Sequence, residues 1–237
     1  MAAAGARRTI SEDAFLDAAT ELFARQGYGA TSVDQIAQRA GATKPTLYAR
    51  FASKDELYAH AVEREASLMT RHLFAAYDRA ERGGLRLGVT LGMRAAFEFA
   101  ELRPDGVALL FEPDTSAPPG DASASAVRTV IERVAQIMRP VLVGESDGGL
   151  AGAELLAALL VSLSNAGVRH ARRAGLRDLA AVGEAVASFA VEGITGLDAA
   201  LFAAIEPKRA RRRQEGDSRV ARRAASRRRA KAGPRAG

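Results

Sequence analysis

No cysteine occurs among the 237 residues. That excludes structural disulfides, thiolate zinc sites and a cysteine nucleophile. No unbroken apolar run reaches transmembrane length, and no apolar segment follows a basic start, so the expectation is a cytoplasmic protein with no membrane partner. The three histidines, His60, His72 and His170, make no HExxH or other zinc spacing. Neither GxxxxGK[ST] nor GxGxxG occurs, so no nucleotide loop is indicated. With no nucleophile–base pair in sight, no catalytic residue, metal or cofactor is assigned, and an enzyme is the least supported class. Lysine is scarce, 4 against 30 arginines. This reads as the codon usage of a GC-rich genome rather than as function.

What is present is apolar surface and unevenly placed charge. The chain is 48% hydrophobic, enough for a sizeable core. The net charge of +6 conceals a division: residues 207–237 hold 13 bases and two acids, leaving 21 bases and 26 acids for the rest. A smaller basic excess lies in residues 1–54. Basic ends around an acidic middle suggest a polyanionic partner at the ends and another task between them.

The periodicity is helical throughout, and no alternating strand pattern survives. Phe15, Ala18, Ala19, Leu22 and Phe23 share one face of a helix capped by Ser11 and stopped by Gly27. A second helix spans about 32–40, opened by the capping-box pair Ser32 and Gln35. Gly41-Ala42 turns the chain into a very short third helix capped by Thr43, with Pro45 in its first turn. Ser53 and Glu56 open a long fourth helix reaching about Arg82. Further helices are expected near 86–103, 105–111, 123–142, 150–174 and 177–204. Pro104, Pro113, Pro118-Pro119-Gly120, Pro140 and Gly148-Gly149 punctuate them. The fold class is all-α. The expected division is a flexible arm (1–10), a three-helix N-terminal domain (11–58), a larger helical domain (59–206) and a disordered basic tail (207–237).

The third helix is the informative one. On a wheel of 100° per residue, Leu47 and Phe51 lie together on its buried side. Pro45, Thr46 and Ala49 lie opposite, all small, while Lys44 and Tyr48 flank one side and Arg50 the other. Small residues let a helix approach base edges; long donors at its flanks reach phosphates. Two helices joined by a tight glycine turn, the second with such a face, form a helix-turn-helix for double-stranded DNA. Tyr48 has a second reading, packed beneath the helix.

The stretch FARQGYGATSVDQIAQRAGATKPTLYARFASKDELYAHAV closely resembles the TetR family of bacterial transcriptional regulators, over about residues 11–62. The motif pairs carrying it include Gly27-Tyr28, Ile36-Ala37, Leu47-Tyr48 and Ser53-Lys54. The resemblance implies a helical protomer in which a DNA-binding domain precedes one that binds a small-molecule effector and dimerises. It implies DNA contacts at Ser32, Lys44, Thr46, Tyr48 and Lys54, to which the wheel adds Thr43, Pro45 and Arg50. It also implies a repressor released from a palindromic operator by its effector. The alternative is a non-specific architectural DNA-binding protein.

For the effector the candidates are Phe97, Phe111, Asn165 and Arg169. Asn165 interrupts the apolar run ELLAALLVSLSNAGV. It is either a satisfied polar group at a helix seam or a hydrogen-bonding partner inside an apolar pocket. Gly88 and Gly92 favour close helix packing. The last two long helices carry small and apolar faces suited to a homodimer seam.

The basic tail is either a solvated extension or a non-specific DNA anchor. Deleting residues 208–237 distinguishes these. An anchor contributes up to about 0.9 to the log–log salt slope of DNA affinity per phosphate neutralised. Titrations across a salt series, full-length against truncated, should then show a shallower slope for the truncated protein with the selected site unchanged. Equal slopes mean a solvated extension.

Overall fold

Ser11 opens the first helix, α1 (Glu12–Gln26), its hydroxyl accepting from the Ala14 amide. Helix α2 (Val33–Arg39) starts with a complete capping box, in which Ser32 Oγ accepts from Gln35 N while Gln35 Oε1 accepts from Ser32 N. Gly41 follows in the left-handed region (φ 72°), and the Ala42 amide donates back to the Ala37 carbonyl at 2.8 Å. That closes α2 and delivers α3 (Lys44–Tyr48) against it. Ser53 Oγ accepts from Glu56 N at the start of α4 (Lys54–Ala80). The Glu56 carboxylate reaches one residue beyond its expected partner, to the Ala52 amide.

The remaining helices are α5 (Gly84–Leu102), α6 (Pro104–Phe111), α7 (Ala122–Val143), α8 (Leu150–Arg173) and α9 (Leu179–Thr195). The computed structural model describes residues 10–80, 83–112, 114–143, 150–198, 200–201 and 205. No strand occurs among the described residues. The expected arm, Ile10 apart, and the basic tail lie outside them.

Two expectations, the Thr43 cap and the end of the ninth helix, need correction. Pro140, which marks the expected helix end near 142, sits inside α7, one turn before its close. The ring removes only the amide that would have bonded the Gln136 carbonyl, a loss borne more easily near a helix end. Thr43 occupies the N-cap position of α3 without a side-chain capping bond; its hydroxyl pairs with that of Thr46 at 2.8 Å. The ninth helix also ends at Thr195, short of the expected 204.

One continuous core runs from Phe15, Ile36, Leu47 and Phe51 in the head to Val134, Leu156 and Val191 in the body. Helix α4 carries that continuity. Its first turns bury Leu57 and Ala61 among head residues, and its later turns pack on α5 and α7. Helix α8 is long and apolar enough to cross a membrane by composition, but 44% of its most apolar window is buried within the body. Its contacts with α7 and α9 make it a core helix of the body.

At the head–body junction sits Glu65, fully buried on α4. Its carboxylate accepts from Arg103 Nε at 3.1 Å, from Arg103 Nη2, and from Arg64 Nη2 at 3.1 Å. Arg64 continues to Asp17 of α1 at 2.7 Å and to the Asp13 carbonyl at 3.1 Å. The bond to Glu65, ahead of all other causes, holds the Arg103 guanidinium above its ordinary pKa. Gly106 of α6 faces this carboxylate so closely that an added Cβ would lie 2.2 Å from Glu65 Oε2.

Glu65→Ala is expected to destabilise the protein by about 3 kcal/mol, because two arginines lose a buried counter-charge. Gly106→Ala should cost about 1–3 kcal/mol by overpacking, since two guanidinium groups keep Glu65 from moving aside. Denaturant midpoints check both; wild-type stability in Gly106→Ala would contradict the close approach.

Candidate nucleic-acid interface and effector cavity

Helix α3 is a thin shell over the head core. Leu47 is fully buried, whereas Thr43, Lys44, Pro45, Thr46, Tyr48, Ala49 and Arg50 are exposed. Phe51 beyond its end packs edge-on against Phe15, ring centroids 6.3 Å apart. Tyr48 is 44% exposed, so the reading that packs it beneath the helix falls away. Ser32 is exposed at the start of α2. Lys44 is already engaged: its ammonium lies 2.9 Å from Asp34 Oδ2, and that bond raises its pKa. Lys54 leans over the Tyr28 ring, 4.0 Å from the centroid, which draws it toward the corner between α1 and α2. The sequence candidates from Ser32 to Arg50 therefore share the outer part of the helix-turn-helix, with Lys54 at its shoulder.

That corner is tied to the body by a strap the sequence did not reveal. Asp114, in the loop after α6, accepts the Tyr28 amide on one carboxylate oxygen. The other oxygen accepts from Ser116 N at 2.8 Å and Ser116 Oγ at 2.6 Å. Ser116 Oγ in turn accepts the Gly29 amide at 3.0 Å. The Ser116 bonds, then the Tyr28 amide, hold the Asp114 carboxyl below the usual carboxylate range. On the same corner the Tyr28 hydroxyl donates to Asp55, and desolvation followed by that bond pushes its pKa up to about 12. A second tie joins Arg25 of α1 to Asp105 of α6 at 3.3 Å.

Inside the body, α4, α5, α6, α7 and α8 enclose an apolar cavity. Its empty volume, mouth included, is about 760 Å³. Phe111 and Asn165 line it as expected, together with Tyr77 and Ser164. Phe97 does not: it is fully buried between α5 and its neighbours, its ring facing Gly167 and Gly183. Small glycines there let the ring close the helix seam, so no void remains for it to line. Arg169 is exposed and also lies off the cavity, because it follows Val168, the last α8 residue on the lining face. The two glycines of α5 divide their roles. A Cβ on Gly92 would meet the Tyr77 ring at 2.4 Å, whereas Gly88 has only ordinary contacts around it.

A capped helix-turn-helix head, bonded at three places to a helical body with an internal cavity, is the architecture of a helix-turn-helix DNA-binding protein. Residues 15–61 match the family model described as "Bacterial regulatory proteins, tetR family". The head is thus a TetR-family DNA-binding domain, and the chain is TetR-like in fold. Among curated relatives, the HTH-type transcriptional activator FasR of Mycolicibacterium smegmatis is 36% identical over 114 residues, 48% of this chain and 51% of that protein. The HTH-type transcriptional repressor ComR of Escherichia coli is 40% identical over 60 residues, 25% of this chain and 29% of that protein. The chain thus spans about half the length of the first of these relatives and less of the second. A TetR-like transcriptional regulator from Rhodococcus sp. RHA1 superposes with a TM-score of 0.60 at 25% identity, covering 81% of this chain and all of that one. The transcriptional regulator FadR of Bacillus subtilis, solved with stearoyl-CoA, superposes with a TM-score of 0.64 at 18% identity, covering 77% and 99%.

The strap should be pH-sensitive. A carboxyl whose folded pKa is depressed contributes above its unfolded value and loses that contribution as pH falls through the folded one. Amide exchange at Tyr28 and Gly29 is expected to be slow at neutral pH and to lose protection below the usual carboxylate range. Asp114→Ala should remove that protection at every pH. Unchanged protection in the variant would mean other groups cover these amides.

Proposed function

We propose that the protein is a dimeric, cytoplasmic transcriptional regulator, not an enzyme, which binds a palindromic operator and is released by a small molecule held in the body cavity. The observation that carries this is α6. One short helix lines the cavity through Val107 and Phe111 and grips the head through Asp105 and Gly106. A molecule that displaces Phe111 or Val107 therefore acts on Arg25 of α1 and on Glu65 of α4. The shift needs only that the ligand prefer one arrangement of α6 over another. That a FadR structure of the same fold was solved with stearoyl-CoA supports a ligand in this body. FasR is named an activator and ComR a repressor. Here the ligand-free dimer is the repressing form, and repression is relieved by the loss of register between two heads once α6 moves.

The DNA contacts are proposed at Ser32, Thr43, Lys44, Pro45, Thr46, Tyr48, Arg50 and Lys54. Dimerisation is assigned to α8 and α9, where Leu155, Leu159 and Phe189 (70% exposed) leave apolar surface uncovered. The domain division near residue 58 is proposed as functional only, since α4 runs through it unbroken.

Selection of bound sites from random DNA should return a palindrome. Tyr48→Ala and Lys54→Ala should weaken binding to all sequences, whereas Thr46→Ala and Lys44→Ala should change the preferred base. Light scattering should give a dimer for each variant. A monomer at micromolar concentration, or unchanged operator affinity in all four variants, would overturn the reading.

A further inference from the structure

The cavity walls specify more than the presence of a ligand. Of the residues that line it, none carries a charge. Burying an ion against such a wall, with no counter-charge to receive it, is costly. The part of a ligand that enters must therefore be neutral. The space is also narrow. Its envelope of about 760 Å³ takes in the open mouth, and the free internal space is only about 60 Å³. That is room for a few waters only, so any larger guest enters by moving the wall, and a slender flexible chain asks for less displacement than a rigid fused-ring body.

The wall is deformable in one particular way. The chain has four methionines, and the three beyond Met1 — Met69, Met93 and Met138 — all line this cavity. Unbranched thioethers repack around flexible aliphatic guests more readily than branched side chains do. Polar groups are few. Ser164 is buried at 7% exposure, and its hydroxyl has no hydrogen-bond partner. An orphaned hydroxyl at this depth is costly unless something arrives to satisfy it. Asn165 beside it offers both a donor and an acceptor. Tyr77, whose pKa burial pushes up to about 12, stays a neutral donor.

From this we infer that the cavity takes an uncharged, unbranched aliphatic chain bearing one hydrogen-bonding oxygen, a hydroxyl or a carbonyl, which Ser164 receives together with Asn165 or Tyr77. The inference rests on the reading of this cavity as the effector site. It goes further by fixing the ligand class: any charged head attached to the chain stays at the mouth, outside the apolar wall.

The test is calorimetric titration of the full chain with 1-dodecanol, methyl dodecanoate, the dodecanoate anion at pH 8, and progesterone. The alcohol and the ester should bind at least tenfold more tightly than the anion or the steroid. Ser164→Ala should weaken 1-dodecanol by about threefold to tenfold, the worth of one hydrogen bond. Gly88→Leu, which adds a side chain to the wall where there is ordinary clearance, should weaken the alcohol and the ester at least tenfold. Circular dichroism and melting temperature must show both variants folded. If Gly88→Leu fails to fold, Val161→Phe on the opposite wall serves the same purpose. Equal binding of the anion or the steroid, or no effect of Ser164→Ala, overturns the inference. Operator binding measured in parallel separates the two levels. Chain binding that leaves operator affinity unchanged removes the regulatory reading and keeps the ligand class. Operator release by a polycyclic compound, or by a charged one that carries no aliphatic chain, does the reverse.

Discussion

The structure hangs on one carboxylate. Glu65 is removed from water and tolerated only because Arg64 and Arg103 surround it with directed donors. A buried ion pair contributes little net stability against an apolar replacement, yet breaking it is expensive. What it contributes is definition. Arg103 precedes α6, Arg64 belongs to α4 and reaches Asp17 on α1, so a single charge sets the mutual position of three helices. Gly106 follows from it, because α6 must come close enough that no Cβ fits. The cavity above and the head below both take their geometry from that crossing.

Much of the head was legible because its signals are local. Capping boxes, a glycine turn and a 3.6-residue apolar period are each complete within a few residues, and they located α1 to α4 closely. Where the same reasoning slipped, a local signal was overridden. Thr43 reads as a cap but spends its hydroxyl on Thr46, and the ninth helix, expected to reach 204, ends at Thr195. Neither Asp114 nor Ser116 could have been placed. Each bonds an amide more than 80 residues away, and nothing near them in the chain announces it.

The cavity was half legible. Helical period says which face of α5 or α8 turns inward, but not whether that face meets another side chain or a void. Phe97 and Phe111 look alike in the sequence; glycines on facing helices close around the first and leave the second beside open space. Asn165 stood out as a polar break in an apolar run, while Ser164 next to it did not, since serine in a helix is unremarkable until its hydroxyl is found buried without a partner. Glu65 was available to a closer reading. It shares a stripe with Ala61, Ala66 and Met69, and a carboxylate on such a stripe has to find cations.

Lys44 has a further consequence. Its ammonium and the Asp34 carboxylate form an exposed pair 2.9 Å apart on the outer rim of the helix-turn-helix. From a distance the pair is a dipole, not a cation, and its field fades faster than that of a lone charge. The rim therefore adds little to the long-range pull on an approaching polyanion. For the proposed contact at Lys44, the duplex must replace Asp34, and it must also accommodate the carboxylate left behind. An arbitrary phosphate meets both charges and gains little from the exchange. A groove that presents an acceptor to the ammonium and a donor to Asp34 gains from both. Self-neutralisation between α2 and α3 would thus filter against indiscriminate attachment, within a chain whose far end carries 13 bases.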